Sequence, residues 1–217
     1  MSQLNYQDNS FIEKLVRSHN PEMCPIRYEF IQQEFEYFRK KIRDSWVLVA
    51  GSGLGLDASE LADYNVEVLG IDNNPLLIAI SKAYIHKHNV RFALADFMDL
   101  YINSVYKHSI LNFGTIGNFS ELEQRKIIRE LIGISPFVHI DFYTEENIEN
   151  RIKMYIQEGW RNVKRVGNAI ISDDGGHSQI FSKQEFDDLV RGSCEFIRNI
   201  NYHTMLGFGY MAEIERK

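Results

Sequence analysis

The chain has 217 residues, a length typical of one domain with a sizeable core. Hydrophobic residues make up 44% and charged residues 25%, which excludes wholesale disorder. With 24 Lys and Arg against 30 Asp and Glu, the net charge of −6 argues against binding to bare nucleic-acid phosphates. The polar first residues do not form a secretory signal, no apolar run reaches the length of a membrane span, and two cysteines are too few for a disulfide framework. We therefore expect a cytoplasmic protein with no membrane partner.

The first 44 residues are predicted to form a helical cap. Pro21 and Pro25 interrupt two segments whose apolar residues recur at helical spacing, and the second segment covers residues 31–42. We expect this cap, residues 1–44, to precede a single compact domain over residues 45–217. The break at the prolines would let the first helix fold over a ligand as a lid, so that Tyr28 or Tyr6 reaches the site.

Strands and helices alternate after the cap, which is typical of a doubly wound α/β sheet. Short apolar runs predict strands over residues 46–50, 66–71, 90–94, 109–113 and 137–142. Helices are predicted at 56–62, after the N-cap Asn74, after capping boxes at Ser120 and Ser182, and before Gly159, with Gly192 ending the helix that Ser182 begins. Residues 205–214 predict a last strand, which can be antiparallel.

Glycines and acidic residues occur where the predicted strands end. Gly51-Ser52-Gly53-Leu54-Gly55 follows the first strand and opens a helix, so a ligand can approach its backbone closely. Asp72 ends the second strand, 21 residues after Gly51, and a carboxylate there can accept hydrogen bonds from two ribose hydroxyls. Asp96 and Phe97 follow the third strand, where they can contact an adenine.

In these segments the chain resembles the class I S-adenosylmethionine-dependent methyltransferases. The resemblance is carried by residues 47–55, 68–72 and 91–97, and residues 111–120 look like the fourth-strand end of the small-molecule N-methyltransferases in that group. It implies a mostly parallel seven-stranded sheet and S-adenosylmethionine as cofactor. The cofactor-binding residues that it implies are Gly51, Ser52, Gly53, Asp72, Asn73, Asp96, Phe97, Phe113 and Gly114. Val49 departs from the pattern, because many members have an acidic residue two positions before the first glycine.

A second interpretation uses the same glycines. Gly53–Ala58 matches the G-x-G-x-x-G/A fingerprint of dinucleotide-binding proteins, with Asp72 on the ribose, and would make the protein an NAD(P)-dependent oxidoreductase. The pair Asp96-Phe97 and the predicted final strand favour the methyltransferase.

Methyl transfer from a sulfonium is an in-line displacement, so a general base is needed only when the acceptor arrives protonated. Candidate residues for the acceptor side are Asn118, Tyr143 and His177, of which a histidine is best suited to move a proton near neutral pH. Small size and acidic charge favour a small-molecule acceptor, and a peptide or protein acceptor is the alternative. Asp173 and Asp174 are interpreted as a solvated turn, so no metal is expected. The oligomeric state is left open.

Overall fold

The computed structural model describes residues 9–100 and 106–217, so Tyr6 lies outside the described residues. The helices are α1 (Asn9–Ser18), α2 (Pro25–Lys41), α3 (Leu56–Ala62), α4 (Pro75–Tyr84), α5 (Glu121–Ile134), α6 (Ile148–Glu158) and α7 (Lys183–Ser193). The strands are β1 (Trp46–Ala50), β2 (Glu67–Asp72), β3 (Val90–Leu94), β4 (His108–Leu111), β5 (Phe137–Tyr143), β6 (Lys164–Val166), β7 (Ala169–Ile171), β8 (His177–Gln179), β9 (Ile197–Met205) and β10 (Gly209–Arg216).

Seven of these strands form one twisted sheet in the order β3-β2-β1-β4-β5-β10-β9. Strands β1 to β5 are parallel, whereas β10 runs antiparallel to both β5 and β9. The prediction of a doubly wound, mostly parallel seven-stranded sheet is confirmed. Strands β6, β7 and β8 form a separate small antiparallel sheet between α6 and α7.

The buried side chains lie in two layers, one on each face of the sheet. Successive residues of a strand point to opposite faces, so Val47 packs on the layer beneath α2 and Leu48 on the layer beneath α5 and α7. Phe30 and Phe38 of α2 are almost fully buried in the first layer. Helix α2 is therefore packed directly on the sheet.

Most element boundaries agree with the sequence prediction, and two differences have a clear physical reason. Strand β4 ends at Leu111 rather than at Phe113, because Phe113 and Gly114 both turn left-handed, with φ of 63° and 60°. Helix α7 continues one residue past Gly192, whose φ is not positive. A Cβ at Gly192 would overlap the guanidinium of Arg125, so this glycine provides room for a side chain rather than a helix stop.

The C-terminal strand prediction was incomplete. Residues 205–214 were predicted as one strand, but β9 precedes it and the two form a hairpin. Much of β9 is exposed at the sheet edge and carries polar side chains such as Asn199 and Asn201, so it lacks the apolar pattern of the inner strands. Within the described residues, no helix has the length and apolar character needed to cross a membrane.

Candidate functional site

A cavity of about 190 Å³ lies at the carboxyl ends of the parallel strands. Its walls come from the turn after β1, the ends of β2 and β4, the loop after β3, and parts of α1, α6 and the start of β8. Ligands of open α/β sheets bind at this edge, where the strand order reverses between β1 and β4. The cavity is therefore the candidate site.

The glycine turn after β1 forms one wall of the cavity. Gly51 and Gly53 line it with φ of 67° and 53°, a backbone conformation that other residues adopt only with strain. A Cβ at Gly51 would lie 3.5 Å from the Phe97 ring, and one at Gly53 would lie 3.5 Å from Leu15 of α1. Ser52 is buried and its N–H donates to the carbonyl of Ile71, 2.8 Å away. The turn thus presents bare backbone to a ligand.

Asp72 is fixed at the end of β2 beside this turn. Its Oδ2 accepts a hydrogen bond from the Gly53 N–H and its Oδ1 accepts one from the Asn74 N–H, both at 2.9 Å. Burial raises the pKa of the Asp72 carboxyl, and the two amide hydrogen bonds oppose that rise. Asn73, the next residue, also lines the cavity. Each carboxylate oxygen keeps a lone pair for a ligand hydroxyl.

Of the two residues Asp96 and Phe97, which follow β3, only Phe97 faces the cavity. Phe97 lines the cavity and packs edge-on against Phe119, with ring centroids 5.6 Å apart. Asp96 is not among the residues that line the cavity, and its Oδ1 accepts a hydrogen bond from the Met98 N–H at 2.8 Å. In the described geometry the Asp96 carboxylate therefore caps its own loop.

The turn after β4 is held from behind by two buried acids. The Gly114 N–H donates to Asp141 Oδ2 at 2.8 Å, and the Phe113 N–H donates to Glu34 Oε1 at 3.3 Å. A bulky residue in the left-handed region is strained, and such strain persists only where surrounding contacts enforce it. The hydrogen bonds fix the Phe113 ring in the cavity wall.

Glu34, Asp141 and a third acid, Asp57 of α3, are buried in the protein, and burial is the main cause of the shift in their pKa values. Burial raises the pKa of Asp141 and of Asp57 to about 7. Burial, together with the neighbouring Asp141 and Asp57, raises the pKa of Glu34 well above its usual value. Glu34 therefore holds its proton more tightly than an exposed glutamate does.

The predicted acceptor-side residues occupy different positions. Asn118 and His177 line the cavity. His177 Nδ1 lies 3.1 Å from the carbonyl oxygen of Gly117, which can only accept, so Nδ1 is the donor and, in the neutral ring, Nε2 is the acceptor. Tyr143 is buried behind the wall, where its hydroxyl accepts a hydrogen bond from Arg27 Nη1 at 3.2 Å. Tyr28 is exposed on α2 and is not among the cavity-lining residues.

Helix α6 contributes residues that the sequence reasoning did not select. In the sequence this helix is marked by Ile148, Ile152, Tyr155 and Ile156; Tyr155 is buried, whereas Ile156 is 57% exposed. The face that is buried contains Arg151, Tyr155 and Glu158, all of which line the cavity. Their spacing at i, i+4 and i+7 was visible in the sequence, but charged residues on a helix are normally assigned to the solvent side.

Arg27 of α2 is a further cavity residue that the sequence did not reveal. Its guanidinium lies 4.1 Å from the centroid of the Phe113 ring and is almost fully buried.

The described residues contain no group of three or more His, Cys, Asp or Glu side chains that could hold a metal ion.

We compared the chain with known protein families, curated proteins and solved structures. No family model and no curated protein matches the sequence. Among solved structures, a protein from Pyrococcus horikoshii has a TM-score of 0.68 at 18% identity, covering 88% of this chain and 90% of that one. Magnesium protoporphyrin IX methyltransferase from Synechocystis, solved with bound S-adenosylhomocysteine, has a TM-score of 0.68 at 13% identity, covering 99% and 97%. The 1,6-didemethyltoxoflavin-N1-methyltransferase from Burkholderia thailandensis has a TM-score of 0.60 at 13% identity, covering 100% and 91%.

The chain has the class I methyltransferase fold. In this fold the antiparallel strand β10 lies between β5 and β9. The dinucleotide-binding fold has the strand order 3-2-1-4-5-6 and a mostly parallel sheet. The β9–β10 hairpin therefore argues against the oxidoreductase interpretation of Gly53–Ala58.

Proposed function

We propose that the protein is an S-adenosylmethionine-dependent methyltransferase that acts on a small molecule. The observation that carries the proposal is the convergence of the glycine turn, the Asp72 carboxylate and the Phe97 ring on one cavity of a chain with this fold. Solved neighbours with the same fold bind S-adenosylhomocysteine, the product of that cofactor.

The residues present fit the proposed cofactor. The backbone of Gly51 and Gly53 would face its methionine part, and Asp72 with Asn73 would accept the ribose hydroxyls. Phe97 would pack against the adenine, as an aromatic side chain does on a base. Val49, which replaces the acid found in many members, is fully buried in the core and is not among the cavity-lining residues. The cofactor's ammonium group would therefore have to bind elsewhere.

S-adenosylmethionine, when bound, supplies an electrophilic methyl group and leaves as S-adenosylhomocysteine. The protein's contribution is to orient the acceptor, exclude water and remove a proton. His177 Nε2 is the proposed base for an acceptor nitrogen or hydroxyl that arrives protonated, because Nδ1 is already engaged with the Gly117 carbonyl. Asn118, on the same side of the cavity, would orient the acceptor.

A small acceptor agrees with the way the cavity is covered. Phe11, Lys14 and Leu15 of α1 lie over it, and Lys14 is tied to Asp174 of the β7–β8 turn by a 3.0 Å ion pair. A helix held over the cavity in this way favours a small acceptor over an extended peptide. Nitrogen is the proposed target atom, by similarity to the Burkholderia thailandensis N1-methyltransferase.

Calorimetric titration of the purified chain with S-adenosylhomocysteine, with NADH as the parallel ligand, tests the cofactor. Micromolar binding of the first and none of the second is expected, and binding of NADH alone would contradict the proposal. Asp72→Ala should weaken the binding of S-adenosylhomocysteine by about 1–3 kcal/mol, which is the contribution of the charge-assisted hydrogen bonds that are lost. Asp188→Ala, which removes an exposed carboxylate on α7, is the matched control and should leave binding unchanged.

The lid role of α1 is a separate proposal with its own test. Deleting residues 1–20 removes α1 and leaves α2, which packs on the sheet. The folded product should bind S-adenosylhomocysteine more weakly and release it faster. Unchanged affinity and turnover in that product would show that α1 does not act as a lid.

A further inference from the structure

Two arginine side chains are buried in the cavity wall without the partners that a buried cation needs. Arg27 is 5% exposed and Arg151 is 6% exposed, and both line the cavity. The Nε of each, and Nη1 of Arg151, have no hydrogen-bond partner. Within the described residues neither guanidinium makes an ion pair with a carboxylate closer than 4 Å.

Both groups remain charged. An arginine side chain does not lose its proton in proteins, and an unpaired buried charge is destabilising. The charges of Glu34, Asp141 and Glu158 act on Arg27, and that of Asp141 also acts on Arg151, but none of these acids forms an ion pair with either guanidinium within 4 Å. Glu34 accepts its hydrogen bond from the Phe113 N–H, and Asp141 accepts its hydrogen bond from the Gly114 N–H. The remaining acid on the wall, Glu158, accepts a hydrogen bond from the Trp160 indole at 2.9 Å.

Arg151 is held in a fixed orientation. Its guanidinium carbon lies 4.1 Å from the Tyr143 ring centroid and 4.3 Å from the Tyr155 ring centroid, so the group packs against two aromatic side chains. A fixed planar guanidinium with free donors is the arrangement that recognises a carboxylate. Arg151 is thus organised for an anionic ligand group.

The surroundings of Arg151 place that anionic group on the acceptor side. A Cβ built on Gly176 would lie 2.8 Å from the Tyr155 ring and 2.9 Å from the Trp160 ring, so α6 contacts the segment that leads into His177. Arg151, Tyr155, Trp160 and the proposed base therefore line one continuous wall. The residues proposed for the adenosine part of the cofactor, Asp72 among them, lie on the sheet edge at β2 and β3.

We propose that the methyl acceptor is a small molecule bearing a carboxylate, and that Arg151 binds this carboxylate and so orients the acceptor toward His177. The inference rests on the proposed function and adds the chemical class of the substrate. The methionine carboxylate of the cofactor is the other carboxylate that could reach a guanidinium in this cavity, and the experiment separates the two.

The test uses the full chain saturated with S-adenosylhomocysteine and two probes of the same shape. Benzoate carries a negative charge and benzamide is neutral. Calorimetry should show benzoate binding about tenfold more tightly than benzamide, the ratio expected for one charge-assisted contact. Arg151→Met should abolish this preference and leave S-adenosylhomocysteine affinity unchanged. Lys153→Met, which removes one exposed positive charge from the same helix, should keep the preference.

Arg151→Lys serves as the second variant, because it keeps the positive charge and loses the planar group. This variant should bind benzoate more weakly than the wild type and should bind S-adenosylhomocysteine with unchanged affinity. Equal binding of the two probes to the wild-type complex, or a preference that survives in Arg151→Met, would overturn the inference. Loss of S-adenosylhomocysteine affinity in Arg151→Met would assign the guanidinium to the cofactor and would also overturn it. Failure of the wild-type chain to bind S-adenosylhomocysteine would instead overturn the proposed function, and this inference with it.

Discussion

Replacing Gly114 by alanine should destabilise the protein strongly, although it adds a single methyl group. Gly114 has a φ of 60°, and a left-handed conformation costs a residue with a Cβ about 1–2 kcal/mol. The new Cβ would also lie 1.9 Å from Cε2 of Tyr143, inside any possible contact distance. Overpacking a buried site typically costs a further ~1–3 kcal/mol. We therefore expect the free energy of unfolding to fall by about 2–5 kcal/mol.

The Tyr143 ring has little freedom to relieve this overlap. It is 2% exposed, its hydroxyl is bound by Arg27, and Arg151 lies over its face. Urea unfolding followed by circular dichroism would measure the change. In a Tyr143→Ala background, which removes the obstructing ring, Gly114→Ala should cost only the backbone contribution of about 1–2 kcal/mol.

Gly133 provides the matched control. It lies in α5, and a Cβ built there meets no atom within 4 Å. Alanine at this exposed helical position should stabilise the protein by about 0.5–1 kcal/mol, because glycine has the poorer helix propensity. If Gly114→Ala unfolds at the same urea concentration as Gly133→Ala, the left-handed turn against Tyr143 is refuted.

Three further predictions concern the lid, the cofactor and the pH dependence of stability. Leu15→Ala should weaken S-adenosylhomocysteine binding by about 1 kcal/mol in calorimetry, because Leu15 packs over the Gly53 backbone, and unchanged affinity would argue against a covering role for α1. Phe97→Ala should weaken the same ligand by about 1–3 kcal/mol, the contribution of an aromatic side chain stacked on a base, and an equally tight complex would remove Phe97 from the adenine site. Asp57 has its pKa raised by burial to about 7, so the folded state keeps a proton that the unfolded state loses near pH 4. Its contribution to stability is therefore lost as the pH rises from about 4 to 7. In urea unfolding, the free energy of unfolding of Asp57→Asn relative to that of the wild type should rise by about 2–4 kcal/mol between pH 4 and 7. A difference between the two proteins that does not change with pH would contradict the raised pKa.

Local chemistry determined much of this fold from sequence alone. Asn74 caps α4 with its side-chain oxygen, which accepts hydrogen bonds from the N–H groups of Leu76 and Leu77. The predicted capping boxes at Ser120 and Ser182 are both present. Such features depend on residues a few positions apart, so the sequence displays them directly.

The strand ends of the candidate site were also accessible from sequence. Gly51, Gly53, Asp72 and Phe97 were selected because they end or follow predicted strands, and Phe113 was implied by the family resemblance. The structure places all five in the cavity wall. Parallel strands bring their carboxyl ends to one edge of a sheet, so the order of the strands is enough to collect these residues.

The tertiary structure alone decided the wall that faces them. Arg27 meets Tyr143 across 116 positions of the chain, and His177 meets Gly117 across 60. Arg151 carries a charge, so periodicity assigns it to solvent, yet packing between two tyrosines buries it. The sequence by itself determined the sheet, the glycine turn and the acid at its edge, because these follow from local hydrogen bonding and from alternating strands and helices. The buried arginines and the covering helix depend on how α1, α2 and α6 pack together, and that packing exists only in the folded chain.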